Sequence, residues 1–365
     1  MKQALFKLPP NRVRRNYRGG AGIDKLHGLR QCVDTDRPEE WIGSLTEAVN
    51  PGLPTVPGEG LCRVETETGT RFLRDVLDDD PAFYLGKDVR PDGTWQLSFL
   101  FKILDSAMRL HVQVHPTTEF ARHVLHKPYG KLECYYILSA RVPHPYIRLG
   151  FQHAPTQEEW KRIVETQDIA AMDACFEPIP VRPGEVWYIP GGMPHAIGEG
   201  ITMLEIMEPS DLVVRCEYER EGIVLPPEAR FMQRGLDFCL PMFDYGQYTV
   251  EEITRRCRVK PRVLARTGSY EKVRLIEEPL TRCFTVDKYT VEDSSVLARG
   301  QSFTLGVVCA GRGCIQTGTE RIHVGQGDSF ALAAAADTLA VLPEDGTMTC
   351  VLVQPGPAMR EEYHD

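Results

Sequence analysis

Apolar and polar positions along this chain switch between two periods, and the switches mark its elements. Residues 1–95 are short apolar runs punctuated by Pro and Gly, as in "NPGLPTVPGEG", with helical spacing only around residues 72–77. Next, "TWQLSFLFKIL" and "RLHVQVHP" read as two strands separated by "DSAM", which predicts a hairpin or a corner. "TTEFARHVL" predicts a helix capped by Thr117 or Thr118, and "LECYYIL" a further strand followed by "HPYIRLGF". "TQEEWKRIVETQDIAAMDACF" is again helical behind a capping Thr, and "GEVWYIPGGMPHAI" and "TMLEIMEP" return to strand and turn. In a strand over "RLHVQVHP", His111, Gln113 and His115 leave one face, so three ligand-capable side chains point the same way.

Residues 221–268 are less sheet-like and predict a connector with one helix at "TVEEITRRCRV". From 272 to 355, eight short strand-like runs with Gly-rich turns predict a sandwich or small barrel. "PGEVWYIPGGMPHAI" and "QGDSFALAAAADTLA" share a Gly-acidic turn, an apolar strand and a small-residue turn, a weak internal repeat that sets His195 against Thr338. Of the two copies, only the first can bind metal through this position. The expected domains are 1–220, a catalytic unit with helical additions; 221–268, the connector; and 269–365, a degenerate barrel without metal ligands.

Composition narrows the setting. A chain of 365 residues suits two domains, and 42% hydrophobic with 25% charged residues is ordinary for a globular protein. Neither a signal-peptide core nor a run of membrane-spanning length is visible, so a cytoplasmic protein without membrane contact is expected. The eleven scattered cysteines include no C-x-x-C pair, which predicts reduced thiols rather than a disulfide frame or thiolate zinc site. A net charge of -9 and no basic run beyond "NRVRRNYR" argue against nucleic acid.

The most specific motif is in "GEVWYIPGGMPHAI": Gly184, Pro190, Gly192 and His195 fit G-x5-P-x-G-x2-H, the second cupin motif, whose turn aims its histidine into a barrel mouth. Together with "FLFKILDSAMRLHVQVHP", "GKLECYYIL", "LEIMEPSDLVVR", "EEWIGS" and "YRGG", in this order from Tyr17 to Arg215, the chain resembles class I mannose-6-phosphate isomerases. The resemblance implies a mainly β fold with helical additions and two cupin-type barrels, the first metal-binding and the second degenerate. It also implies interconversion of mannose 6-phosphate and fructose 6-phosphate through an enediol, by a monomer or homodimer acting on a small sugar phosphate.

By the same resemblance, one zinc ion would be held by Gln113, His115, Glu133 and His195, a mixed N and O set that also suits manganese, iron or cobalt. Arg215 would stabilise the enediolate, and Lys131 or Glu205 would transfer the proton. Lys102, His111 and Arg220 would contact substrate. Lys102 stands out without any resemblance, because it interrupts the apolar "LSFLF-ILD" run. His111 replaces a serine common in the family, Gly130 a histidine of some members, and Arg220 is one position short of a family basic residue, where Glu221 falls. Three rival readings stand beside this one: an isomerase of another sugar phosphate, a non-catalytic sugar-binding cupin, and an iron oxygenase on the same two-histidine and carboxylate set.

Overall fold

The computed structural model describes residues 2–360, and in it the alternating runs become two copies of one strand arrangement. The N-terminal strand β1 (Leu5–Leu8) precedes β2 (Glu39–Ile42), and the predicted helix at 72–77 forms as α1 (Leu73–Asp79). The first copy comprises β3 (Leu100–Asp105), β4 (Gln113–Val114), β5 (Glu133–Ala140), β6 (Tyr146–Leu149), β7 (Ile179–Pro180), β8 (Val186–Ile189), β9 (His195–Ile197) and β10 (Ile201–Met207). Strands β11 (Val214–Arg215) and β12 (Arg258–Val259) extend its two sheets. One sheet runs β12-β8-β5-β10-β3-β2, and the other β7-β6-β9-β4-β11.

The second copy follows the same plan after β13 (Tyr270–Ile276). Its strands are β14 (Phe284–Val291), β15 (Ser295–Leu297), β16 (Thr304–Ala310), β17 (Arg312–Thr317), β18 (Glu320–Gly325), β19 (Ser329–Leu332), β20 (Leu339–Pro343) and β21 (Met348–Pro355). Its sheets run β1-β19-β16-β21-β14-β13 and β18-β17-β20-β15. All eight runs predicted between 272 and 355 are strands, and the cupin-type duplication is present.

Two expectations are corrected. "RLHVQVHP" is not a full strand: only Gln113–Val114 pair regularly, in a different sheet from β3, so "DSAM" is a corner and not a hairpin. Part of the reason lies upstream, where the Val112 amide donates to the Glu217 carboxylate instead of to a ladder carbonyl. The repeat register shifts by one residue, because the turn at 333–338 is one residue longer than its counterpart at 190–194. Leu339, not Thr338, therefore matches His195: Leu339 pairs with Leu297 as His195 pairs with Gln113. Strand pairing also ties the parts of the chain together: β1 joins the C-terminal sheet opposite β19, and β12 joins the N-terminal one.

The helices form where caps were read. Helix α2 (Thr118–Leu125) starts at Thr117, whose hydroxyl accepts from the Phe120 amide. The long helical segment divides into α3 (Gln157–Thr166), opened by the Thr156–Glu159 capping box, and α4 (Ile169–Ala174), with left-handed Gln167 between them. Helix α5 (Val250–Cys257) carries a second capping box at Thr249 and Glu252.

One apolar cluster joins the two copies. Phe99, Phe101, Ile103, Leu204 and Ile206, on one face of the β3/β10 region, are packed in the same core as Phe284, Leu305 and Val353 of the second copy. Phe99 and Phe284 meet edge to face with centroids 6.3 Å apart. By strand alternation the other face of β3 and β10 is then free to carry Lys102 and Glu205 into the first barrel.

Candidate active site

Lys102 and Glu205 are direct cross-strand partners, flanked in the same row by Trp41 on β2 and Tyr135 on β5. Two residues from Tyr135, Glu133 opens β5 on the same face. From the facing sheet, His195 at the head of β9 pairs with Gln113 of β4, and His115 follows just beyond β4. The turn between β8 and β9 sets this approach. Gly192 has φ +84°, the left-handed region, and a Cβ on Gly191 would lie 2.7 Å from Thr117 Cα. The Gly192 amide donates to the His115 carbonyl at 2.7 Å, so the two histidine-bearing segments are tied through backbone.

His115 Nε2 lies 3.0 Å from Glu133 Oε1 and His195 Nε2 3.5 Å from Glu133 Oε2, all within a buried cluster. Each imidazole has its Nδ1 against a backbone carbonyl, Leu212 for His115 and Met193 for His195, both at 2.9 Å. Those bonds place the ring proton on Nδ1 and leave the Nε2 lone pairs facing the carboxylate. Burial, with Lys131 beside it, pushes His115 down to about 3, so this ring is neutral near pH 7. Two lone pairs converging on a carboxylate need a cation between them, and the donor separations suit one divalent ion. Gln113 presents its amide nitrogen to His195 Nε2 at 3.3 Å, and a half-turn of that amide presents the oxygen to the same point.

The surroundings balance the buried carboxylate. Burial opposes ionisation of Glu133, but the Lys131 ammonium at 3.0 Å holds its carboxyl well below the usual range. The Tyr135 hydroxyl donates to Glu133 Oε2 at 2.6 Å. Lys102 Nζ lies 2.6 Å from Glu205 Oε2 and 3.4 Å from Glu39 Oε2; burial disfavours its charge, but those two carboxylates raise its pKa. Glu205 goes the other way: burial and the charge of Glu133 push it up to about 8. Burial lowers Arg215 to about 10, with one guanidinium nitrogen donating to the Ala229 carbonyl at 2.9 Å.

A narrow cavity of about 40 Å³ collects Lys102, His111, Gln113, Lys131, Glu133, Glu205 and Arg215 among its lining residues. His111 Nε2 is buried without a hydrogen-bond partner, and burial pushes the ring down to about 4, so it is a neutral polar group in the wall. Arg220 is not in the lining: its guanidinium pairs with Glu217 at 2.9 Å, and Glu217 also binds Arg109. It therefore braces the segment that carries His111. The substitution at Gly130 has a steric reason, since a Cβ there would lie 2.5 Å from the Pro116 carbonyl oxygen.

Residues 58–138 match the family model "Phosphomannose isomerase type I, catalytic domain", and residues 279–355 match "Mannose-6-phosphate isomerase, cupin domain". The chain is similar to the mannose-6-phosphate isomerase of Streptococcus mutans, with 31% identity over 64% of this chain and 67% of that protein. This chain belongs to the type I phosphomannose isomerase family. Among family structures, that of the Bacillus subtilis mannose 6-phosphate isomerase superposes with a TM-score of 0.70 at 20% identity, covering 96% of this chain and all of that one. A mannose 6-phosphate isomerase "bound with zinc and yttrium" superposes with a TM-score of 0.67 at 17% identity, over 97% of this chain and 100% of the other.

Four cavity residues had no role assigned from the family-like motifs: Arg15, Tyr17, Glu39 and Asp211. Glu39 and Tyr17 do lie within "EEWIGS" and "YRGG", and Arg15 in the short basic run, but charge partners far apart in the chain leave no spacing signal. Glu39 accepts from Arg15 Nε at 2.9 Å, Tyr17 Oη at 2.6 Å and Trp41 Nε1 at 2.7 Å. Arg15 also grips both Asp211 oxygens, at 3.1 and 3.2 Å, one residue before the carbonyl that orients His115. Arg15→Met leaves the carboxylates of Glu39 and Asp211 without this partner and is expected to cost about 3–5 kcal/mol in urea unfolding, whereas Lys161→Met, at an exposed pair with Asp237, should leave the urea midpoint nearly unchanged. Equal costs would show that Arg15 does not anchor the site.

Proposed function

We infer that the chain interconverts mannose 6-phosphate and fructose 6-phosphate through an enediol at this cavity, with one zinc ion bound to His115, Glu133, His195 and the Gln113 amide oxygen. The observation that carries this reading is the convergence of two imidazole Nε2 atoms on Glu133, whose side chain also lines a cavity with three further acidic and four basic side chains. Arg15, Lys102, Lys131 and Arg215 face Glu39, Glu133, Asp211 and the proton-sharing carboxyl of Glu205, so the cavity suits a divalent cation together with a nearly dianionic phosphate ester. An iron oxygenase has no comparable need for such a set of cations. When bound, the metal would polarise the carbonyl and hydroxyl oxygens of the reacting carbons.

The chain's own residues then divide the remaining work. A base removes the proton beside the carbonyl, the enediol forms, and the proton returns at the neighbouring carbon. Of Lys131 and Glu205 we favour Glu205, because burial and Glu133 raise its carboxyl to about 8, near working pH, whereas an ammonium paired with Glu133 has no lone pair to accept a proton. Lys102 holds Glu205 in place, and Arg215 faces the cavity as the cation for charge developing on the sugar oxygens. His111 stands in the wall as a polar contact for the sugar phosphate. The cavity continues into a cleft that shares Asp211, Val213 and Arg215 and adds Lys127 and Tyr129, which leaves room for the far end of the substrate.

No helix among the described residues is long and apolar enough to cross a membrane. A location in the cytoplasm, and action as a monomer or homodimer without nucleic-acid partners, complete the proposal, as does a division of labour in which the first barrel is catalytic and the second degenerate.

Stripping the metal with a chelator should abolish conversion of mannose 6-phosphate, and added Zn2+ should restore it; full activity in stripped enzyme would exclude the mechanism, and faster turnover of another sugar phosphate would move the substrate. Glu205→Gln should lower kcat by roughly 10²–10⁴ with metal content unchanged. A loss below tenfold would transfer the proton step to Lys131.

A further inference from the structure

The positions in the second barrel that correspond to the metal cluster carry Leu297, Thr304 and Leu339, but its opposite face carries a different donor set. Cys314 lies on β17, an inner strand of its sheet, opposite His323 of β18 and Leu342 of β20. Alternation along β17 turns Ile315 into the apolar core with Val324 and Val341 and sends Cys314 to the other face, with Arg312 and Gln316. Cys314 is outside every apolar cluster of the described residues, yet it is fully enclosed, while His323 and Glu344 beside it are exposed.

Its sulfur lies 3.2 Å from His323 Nδ1 and 3.7 Å from Glu344 Oε1, and those two atoms are 3.3 Å apart. A tetrahedral ion with bonds of roughly 2.0–2.3 Å spaces its donors by about 3.3–3.8 Å, close to all three separations. Sulfur, imidazole and carboxylate from three different chain segments thus converge on one point, and a Cys–His hydrogen bond alone would not require Glu344 there.

We propose that Cys314, His323 and Glu344 form a second metal site, which takes a borderline or soft divalent cation such as Zn2+ and leaves a coordination position to water. Binding converts the Cys314 thiol to a thiolate, with its proton released to solvent. The thiolate selects against hard cations, and the exposure of the other two ligands makes the ion exchangeable, unlike one enclosed between the barrel sheets. By tying β17 and β18 to the end of β20, the ion stabilises this barrel.

Co2+ titrated into the full chain under reducing conditions tests the site independently of catalysis, because the first site offers only nitrogen and oxygen donors. The wild type should develop a thiolate-to-cobalt charge-transfer absorption and bind one more Co2+ per chain than Cys314→Ser. That variant should lose the band with isomerase activity unchanged, and His323→Ala should weaken the band-forming affinity by about tenfold or more. Absence of the band in saturated wild type, or its survival in Cys314→Ser, would overturn the proposal.

Discussion

Ionised Glu133, buried to 1% exposure, is the constraint around which the first barrel is organised. An isolated carboxylate at that depth would take up a proton instead of staying charged. Lys131 and the Tyr135 hydroxyl hold it ionised, and the charges around it are matched in turn by neighbours further out. Lys102 answers Glu205 and Glu39; Arg15 answers Glu39 and Asp211; and the chain next to Asp211 supplies the carbonyl that fixes the tautomer of His115. Removing one member of such a network leaves its partner buried and unpaired, so the site stands or falls as a unit.

The second barrel explains how so polar a cavity can sit on a stable sheet. Strands β3 and β10 carry Lys102 and Glu205 on one face and Phe101, Ile103, Leu204 and Ile206 on the other, and that other face belongs to the core of the second copy. The Ser98 hydroxyl donating to the Cys283 carbonyl at 2.5 Å adds a polar tie between the copies. Without that apolar support the charged face would have only one-sided packing. The second copy, with Leu, Thr and Leu at the strand positions equivalent to Gln113, Glu133 and His195, buttresses the first.

Much of this was legible in the sequence where local rules operate. The glycine turn predicted the aim of His195, Lys102 announced itself by breaking an apolar run, and Thr117 and Thr156 marked helix starts that the structure keeps. What stayed hidden depends on partners distant in the chain. Arg15 and Asp211 are 196 residues apart, and no periodicity links them. The strand reading of "RLHVQVHP" went too far because Glu217, more than 100 residues on, captures the Val112 amide. Arg220 looked like a substrate contact by position, but the buried charge of Glu217 claims it.

The central claim is that this charge network holds a single divalent ion between the two sheets of the first barrel. Anomalous diffraction at the zinc absorption edge, from crystals of the zinc-loaded protein, measures that directly. A peak is predicted within roughly 2.0–2.2 Å of Nε2 of His115, Nε2 of His195 and a Glu133 oxygen, with the Gln113 amide oxygen turned toward it. Fully loaded protein with no peak among these residues would contradict the account.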